Sequence, residues 1–196
     1  QAQLVIDGVL CSDAIRCDEQ EIGDPTEIAL VDFSSKHNMR CEEIRERYPR
    51  LGEIPFDSDR KLMSTVHRIG SSYKMLTKGA VDVLAQRIIE IKTIDGKRSF
   101  TSGDLKDLKR VNMEFSQMGL RVLAMCEKNV ENTDVTVEDE RDYTLLGLIA
   151  MQDPPREESA EAVEMCKKAG ITPIMITGDH LVTASAIARQ IGILDN

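Results

Sequence analysis

The sequence is poor in aromatic side chains, in positive charge and in long apolar runs. Aromatic residues make up 4% of its 196 residues, and tryptophan is absent. Lys and Arg number 25 against 34 Asp and Glu, for a net charge of −9. This balance argues against a nucleic-acid-binding surface, because phosphate backbones are bound by clustered Lys and Arg. No apolar run approaches the ~20 residues that cross a bilayer, so we expect a soluble globular protein.

Cysteine is present but scattered. The five cysteines form no CxxC pair and no Cys/His cluster with the spacing of a zinc site. An odd number of dispersed cysteines is typical of reduced, mostly buried thiols in a cytosolic compartment. The sequence therefore predicts no disulfide framework and no metal site.

The first of three regions, residues 1–50, carries two helix signals. Asp24 is a good N-cap for a helix that begins at Pro25, and Glu27 stands where a capping-box carboxylate belongs. A shorter helix is predicted over "CEEIRERY", and it ends before Pro49.

The middle region, residues 51–142, is predicted to be antiparallel. Two strand-like runs, "KLMSTVHRI" and "SYKMLTKG", are joined by Gly70-Ser71, which indicates a hairpin. We expect a helix over "AVDVLAQRIIEI", a turn at "GKRS", a helix over "SGDLKDLKRVNMEFSQMG" and a strand over "LRVLAMCEKNV". The acidic segment 131–142 is interpreted as a solvated loop or edge.

The last region, from residue 143, alternates between apolar runs and helical patterns. "YTLLGLIAMQD" and "ITPIMITGD" are interpreted as buried strands, each followed by a helix. Strand–helix–strand–helix with nearly continuous apolar strands is typical of a parallel βαβα unit. Two strands are too few for a stable sheet, so this unit is expected to need further strands.

Two aspartates follow the predicted strands of this unit. Asp153 and Asp179 would face one crevice if the strands are neighbours, since ligands bind at the carboxyl ends of parallel strands. Thr177 and the Gly178 N–H could donate to a phosphate. The competing interpretation makes Asp179 a helix N-cap and Asp153 a turn residue. Arg156 near a helix start opposes the helix dipole, which hints at an anionic partner.

A second group of candidates lies around the predicted hairpin. Lys78 ends one hairpin strand, and Gly79 beside it would let a flat ligand approach the backbone. Phe56 could stack on a base, with Met63 as an adjacent wall, although core packing is the commoner role of a lone Phe. Arg121 is either a surface charge or a phosphate ligand.

Six motifs in order identify a family resemblance. They are "GDPTEIAL", "IPFDSDRKLMS", "LTKGA", "GLRVLAM", "QDPPRE" and "IMITGDH". Together they resemble the cytosolic loop of P-type cation-transporting ATPases, most closely the type II, calcium-pump-like branch. The resemblance covers the chain from Gly23 to Asn196, and six ordered motifs make coincidence very improbable.

The resemblance implies an α/β fold in two parts. Residues 1–142 would form the nucleotide-binding domain, an antiparallel sheet flanked by helices, and residues 143–196 part of a haloacid-dehalogenase-like phosphorylation domain. The residues implied to surround the nucleotide are Glu27, Phe56, Met63, Lys78, Gly79, Arg121 and Leu123, with Phe56 on adenine. Those implied to lie near the γ-phosphate, in a crevice between the domains, are Asp153, Arg156, Thr177, Gly178 and Asp179.

The resemblance also implies an activity for the whole protein. ATP, with Mg²⁺, would transfer its γ-phosphate to a catalytic Asp and so drive cation transport, with Ca²⁺ expected from the branch. The family's DKTGT and GDGxND motifs do not occur in these 196 residues. The chain is therefore expected to be a fragment on the cytoplasmic side of a membrane, without the catalytic Asp and inactive by itself. Its implied partners are ATP or ADP and the rest of the pump: the remaining phosphorylation domain, the actuator domain and the transmembrane helices.

Two other functions stay open on the sequence. A self-sufficient haloacid-dehalogenase-type phosphatase would need a DxD-like nucleophile at a first strand end. Asp57-Ser58-Asp59 is a D-x-D run, but it precedes a hairpin in the wrong region. The other alternative is a non-catalytic module that binds a nucleotide, or that docks a partner through the acidic 131–142 segment.

Overall fold

The structure, a computed structural model, describes residues 2–17, 20–152, 155–156, 158–177 and 181–194. Its helices are α1 (Ala2–Leu10), α2 (Pro25–Lys36), α3 (Cys41–Arg47), α4 (Val81–Leu84), α5 (Ser102–Gln117), α6 (Glu158–Lys168) and α7 (Leu181–Gln190). Its strands are β1 (Ile15–Cys17), β2 (Gln20–Ile22), β3 (Arg50–Asp57), β4 (Leu62–Ile69), β5 (Ser72–Ala80), β6 (Ile88–Thr93), β7 (Gly96–Ser99), β8 (Leu120–Val130) and β9 (Tyr143–Gln152). This mixed α/β composition confirms the predicted fold class.

A seven-stranded sheet organises the larger part of the chain. The strand order is β3-β4-β5-β8-β9-β6-β7, and β1 pairs with β2 in a separate hairpin. The pairs β3–β4, β4–β5, β5–β8 and β6–β7 are antiparallel, whereas β6 and β9 run parallel. The antiparallel character predicted for the middle region is confirmed for these four pairs.

The hairpin of β4 and β5 forms where the sequence predicts it. Ile69 pairs with Ser72, which leaves Gly70 and Ser71 as a two-residue loop. Gly70 has φ +67°, the conformation that a type II′ turn requires at its first central position. The local turn chemistry therefore fixes the register of the strand that carries Lys78.

Helix α1 was not predicted, although it contributes strongly to the core. Val5, Val9 and Leu10 are fully buried. The Cys11 thiol, just after the helix, donates to the backbone carbonyls of Met63 at 3.4 Å and Leu76 at 3.6 Å. The end of α1 is thereby tied to β4 and β5, and it carries the segment 11–14 to the same strands.

Two predictions between residues 81 and 99 were wrong. The expected helix over "AVDVLAQRIIEI" is the single turn α4, and its second half is strand β6. The three β-branched residues at 88, 89 and 91 suit a pleated strand better than a helix. The expected turn at "GKRS" is strand β7, and the turn is instead formed by Ile94 and Asp95 between the paired residues Thr93 and Gly96.

The predicted βαβα arrangement is corrected in one element. Helices α6 and α7 form, but residues 171–177 are not a strand, and Ile174 and Ile176 are 79% and 92% exposed. A buried strand needs neighbours that accept its hydrogen bonds. Its expected partner, β9, pairs with β8 on one edge, and on the other edge its residues 143–145 pair with β6.

Internal contacts divide the chain into two compact units. One comprises Gln1–Lys106 with Leu123–Ile149, and the other Asp107–Val122 with Ala150–Asn196. The division at residues 142 and 143 stays a prediction.

In the first unit, Cys11, Cys41 and Cys126 are buried free thiols, and burial raises the pKa of each.

Candidate functional site

Strand register brings four of the predicted nucleotide-binding residues to one end of the sheet. Met63 on β4 pairs directly with Lys78 on β5, and Leu123 on β8 pairs with Ala80. Phe56 lies in a β-bulge near the end of β3, beside the start of β4. Four adjacent strands therefore contribute at least one predicted residue each within the first unit.

Lys78 is held in place by a buried ion pair. Its ammonium group donates to Glu27 Oε1 and, at 3.3 Å, to Ser12 Oγ. Both side chains of the ion pair are largely buried, and Lys78 as a whole is 5% exposed. Buried charges are stable only when paired and hydrogen-bonded, so each member of this pair depends on the other.

Glu27 does not act as a capping-box residue, so this prediction was wrong. The N-cap of α2 is Asp24, whose carboxylate accepts from the Thr26 N–H at 2.8 Å, as predicted. Glu27 Oε2 instead accepts from the N–H groups of Asp13 at 2.8 Å and Ala14 at 3.1 Å. The residue follows the capping pattern in sequence, but tertiary partners take both of its oxygens.

Two arginines that sequence reasoning missed stabilise this segment. Arg45 donates to the carbonyls of Ser12 at 2.8 Å and Ala14 at 3.0 Å. Arg50 donates to the Ser12 carbonyl at 3.0 Å. They also donate to the last carbonyls of α1, Arg45 to Val9 at 3.4 Å and Arg50 to Leu10 at 3.3 Å, as the C-terminus of a helix favours. Neither arginine stands in a motif, so no sequence signal pointed to it.

Phe56 and Met63 differ in accessibility. Phe56 is 60% exposed, which leaves its ring free to meet a flat ligand, whereas Met63 is fully buried. Burial makes the core interpretation the better one for Met63, and exposure excludes it for Phe56. Leu123 is half-buried at the start of β8.

The space beside Gly79 is used by the protein itself. A Cβ atom at this position would lie 2.3 Å from Leu62 Cδ2 and 2.5 Å from the Lys61 carbonyl oxygen. The glycine is therefore required by the close approach of the 57–61 turn to β5, and a role for Gly79 in ligand approach stays a prediction.

We expect Gly79→Ala to lower the free energy of unfolding by about 1–3 kcal/mol, because backbone and a packed leucine block the added methyl group. Urea unfolding measures this change. Gly8→Ala is the matched control, since its Cβ would stand 3.6 Å from Leu30 Cδ2 inside helix α1. That substitution should be stabilising by about 0.5–1 kcal/mol. Equal effects of the two substitutions would contradict the steric explanation.

The remaining predicted residues belong to the second compact unit or lie outside the described residues. Arg121 is half-buried at the start of β8, and Arg156 and Thr177 are exposed. Asp153, Gly178 and Asp179 lie outside the described residues. The first unit therefore holds every predicted nucleotide-binding residue except Arg121, which belongs to the second. The roles of the nucleotide-binding and phosphate-proximal residues stay predictions.

Other potential site features lie elsewhere. Two surface depressions have volumes of about 440 and 620 Å³. Met39 lines the first and Tyr48 lines the second, and none of the predicted residues that the structure describes lines either. Among the described residues, no group of three or more His, Cys, Asp or Glu side chains could hold a metal ion. The described helices include none that is both long and apolar enough to span a bilayer.

Comparison with known families defines the class of protein. The family described as P-type ATPase, cytoplasmic domain N matches residues 1–158, about four fifths of the chain. The chain belongs to this family, and its mixed sheet with flanking helices is consistent with a nucleotide-binding domain.

Several relatives carry calcium-transport names. The chain is 48% identical to the protein named Calcium-transporting ATPase lmo0841 of Listeria monocytogenes, an alignment that covers 100% of this chain and 22% of the relative. It is 46% identical over 95% of its length to Calcium-transporting ATPase 1 of Lactococcus lactis, and 41% identical over 100% to Calcium-transporting ATPase 1 of Bacillus cereus. In both cases it spans 22% of the relative. The chain thus corresponds to about a fifth of these relatives.

Proposed function

We propose that this chain is the ATP-binding part of a cation pump. The observation that carries the proposal is the convergence of an exposed Phe56 with the buried Glu27–Lys78 pair at one end of the sheet. An exposed aromatic ring supplies a stacking surface for adenine. A positioned cation beside it can donate hydrogen bonds to the polar edge of the base or ribose.

The pair also gives the site a fixed geometry before the nucleotide arrives. Glu27 is held by two backbone N–H groups, and it holds Lys78 in turn. Preorganised groups lose little freedom on binding, so more of the interaction energy appears as affinity. The affinity expected for one nucleotide at an open site is micromolar to millimolar, about −4 to −8 kcal/mol.

In the whole protein, we propose that ATP bound here delivers its γ-phosphate to a catalytic Asp and so drives cation transport, with Ca²⁺ suggested by the relatives' names. Mg²⁺ would arrive with the ATP phosphates. Asp153, Arg156, Thr177, Gly178 and Asp179 are proposed to serve the phosphate end. These 196 residues contain no DKTGT motif, so we expect nucleotide binding without turnover. The rest of the pump is the proposed partner, and the cytoplasmic side of a membrane the proposed location.

The stacking role is tested with Phe56→Ala. Loss of the ring should weaken ATP binding by about 1 kcal/mol or more, which is about fivefold, as measured by isothermal titration calorimetry. Leu51→Ala is the matched control, because Leu51 is also on β3 and 44% exposed but lies at the opposite end of the strand. ATP affinity should be unchanged in the control. A Phe56→Ala protein that binds ATP as tightly as the wild type would exclude adenine stacking on this residue.

A further inference from the structure

Glu140 is an exception within the acidic segment 131–142. The sequence suggests a solvated loop, and most of its residues are exposed or half-buried. Glu140, however, is 2% exposed, and its carboxylate is completely buried. A carboxylate is buried in this way only where cations and hydrogen bonds compensate for its lost hydration.

Three side chains supply that compensation. Arg60 forms an ion pair with Glu140 Oε1, and Ser64 Oγ donates to the same oxygen at 2.8 Å. Arg87 stands 3.5 Å from Glu140 Oε2 and donates to the Glu140 carbonyl at 3.0 Å. The network continues from Ser64 to Thr77 at 2.8 Å. Glu140 thereby connects its loop to the turn before β4 and to β4 and β5 themselves.

Arg60 carries this connection to the stacking residue. Its second guanidinium nitrogen donates to the carbonyl of Pro55, the residue directly before Phe56. On the other side of Phe56, Asp57 accepts from the N–H groups of Asp59 at 3.1 Å and Arg60 at 2.8 Å. The backbone on both sides of Phe56 is therefore fixed through Arg60, and the direction of the Arg60 side chain is fixed by Glu140.

We propose that Glu140 is a positioning residue for adenine recognition: through Arg60, it holds the backbone that presents the Phe56 ring. This inference rests on the proposed function. Phe56 lies in a bulge, where the regular ladder does not fix the chain, and its ring has little packing of its own because it is exposed. A buried carboxylate that directs Arg60 onto the Pro55 carbonyl supplies the constraint that the strand lacks.

The test is a double-mutant cycle on ATP affinity with Glu140→Gln and Phe56→Ala. Glutamine keeps the shape and can still accept from Ser64, but it removes the charge that holds Arg60. We expect Glu140→Gln to weaken ATP binding about three- to tenfold in the wild-type background, and less than about twofold in the Phe56→Ala background. A merely structural role would give the same loss in both backgrounds.

Glu127→Gln is the matched control. Glu127 is equally buried in the same compact unit and is paired with two cations, Lys74 at 2.6 Å and Lys97 at 2.9 Å, neither of which belongs to the turn at Phe56. Both glutamine variants should lower the melting temperature, because each removes a buried charge that two cations compensate. Only Glu140→Gln should also weaken ATP binding.

If Glu140→Gln does not fold, Arg60→Lys provides the same test. A lysine can reach Glu140 or the Pro55 carbonyl, but its single ammonium group cannot replace the two-ended guanidinium. It should show the same dependence on Phe56. Unchanged ATP affinity in a folded variant, an equal loss in both backgrounds, or an equal loss in Glu127→Gln would each overturn the positioning role. A wild-type chain that binds no ATP would instead overturn the proposed function, and the inference with it.

Discussion

Replacement of Lys78 by alanine is expected to lower the free energy of unfolding by about 3–5 kcal/mol and to abolish measurable ATP binding. The substitution leaves the Glu27 carboxylate largely buried without its cation, and removal of one member of a buried pair has this order of cost. It also removes the donor proposed to contact the nucleotide. Urea unfolding and calorimetry with ATP measure the two effects separately.

A second variant separates stability from recognition. In Glu27→Gln/Lys78→Met both charges are removed and the side-chain volumes are largely kept, so the stability should return to within about 1–2 kcal/mol of the wild type. ATP binding should remain absent, because the donor is still missing. If this double variant binds ATP as the wild type does, Lys78 does not belong to the nucleotide site, whatever the stability of Lys78→Ala.

The elements predicted correctly from the sequence have local causes. Asp24 and Pro25 set the start of α2, and Gly70 selects the turn between β4 and β5. These signals act over a few residues, so a sequence shows them directly. The strand expected at 171–177 depends on which neighbouring strands are available, and part of β9 is already paired with β6 and β8. Pairing between distant strands leaves no comparable local mark.

The residues of the candidate site also differ in whether the sequence alone reveals them. Phe56 and Lys78 stand in recognisable motifs at strand ends, so the sequence identifies them as candidates. Glu27 is found by the same resemblance, but its contact with Lys78 depends on the packing of α2 against residues far away in the chain. Glu140 has no motif, and its surrounding acidic residues favour the opposite interpretation, that of a solvated loop. Its role appears only when Arg60 is brought beside it.

Asp7 creates a pH dependence that the sequence does not reveal. It is fully buried on α1; Gln3 donates to its Oδ1 at 2.7 Å, and its Oδ2 has no hydrogen-bond partner in the described part of the chain. Burial raises its pKa from 3.8 to about 7, and the nearby charge of Glu127 adds to this rise. The bond from Gln3 and the charges of Lys74 and Lys92 act in the opposite direction without cancelling the effect of burial.

The sign of the effect on stability follows from proton binding. Between about pH 4 and pH 7 the folded chain holds a proton on Asp7 that the unfolded chain releases. The stabilising contribution of the Asp7 proton is therefore fully present below the unfolded-state pKa of Asp7, and it is lost as the pH rises through the folded-state pKa. The full change in the free energy of unfolding is up to about 4 kcal/mol, and about 2–3 kcal/mol of it occurs between pH 5 and pH 8.

Asp7→Asn should remove this loss. The asparagine is neutral at every pH. The free energy of unfolding of the variant, minus that of the wild type, should therefore increase by about 2–3 kcal/mol from pH 5 to pH 8. Other titrating groups, including the buried His67, are common to both proteins and cancel in the difference. Urea unfolding across this range measures the increase, and Asp82→Asn, which removes an exposed carboxyl, controls for the change in net charge.

A constant difference between Asp7→Asn and the wild type would show that Asp7 does not take up a proton on folding. A growing difference would show that the buried carboxyl on α1 makes this domain less stable in alkaline than in mildly acidic solution.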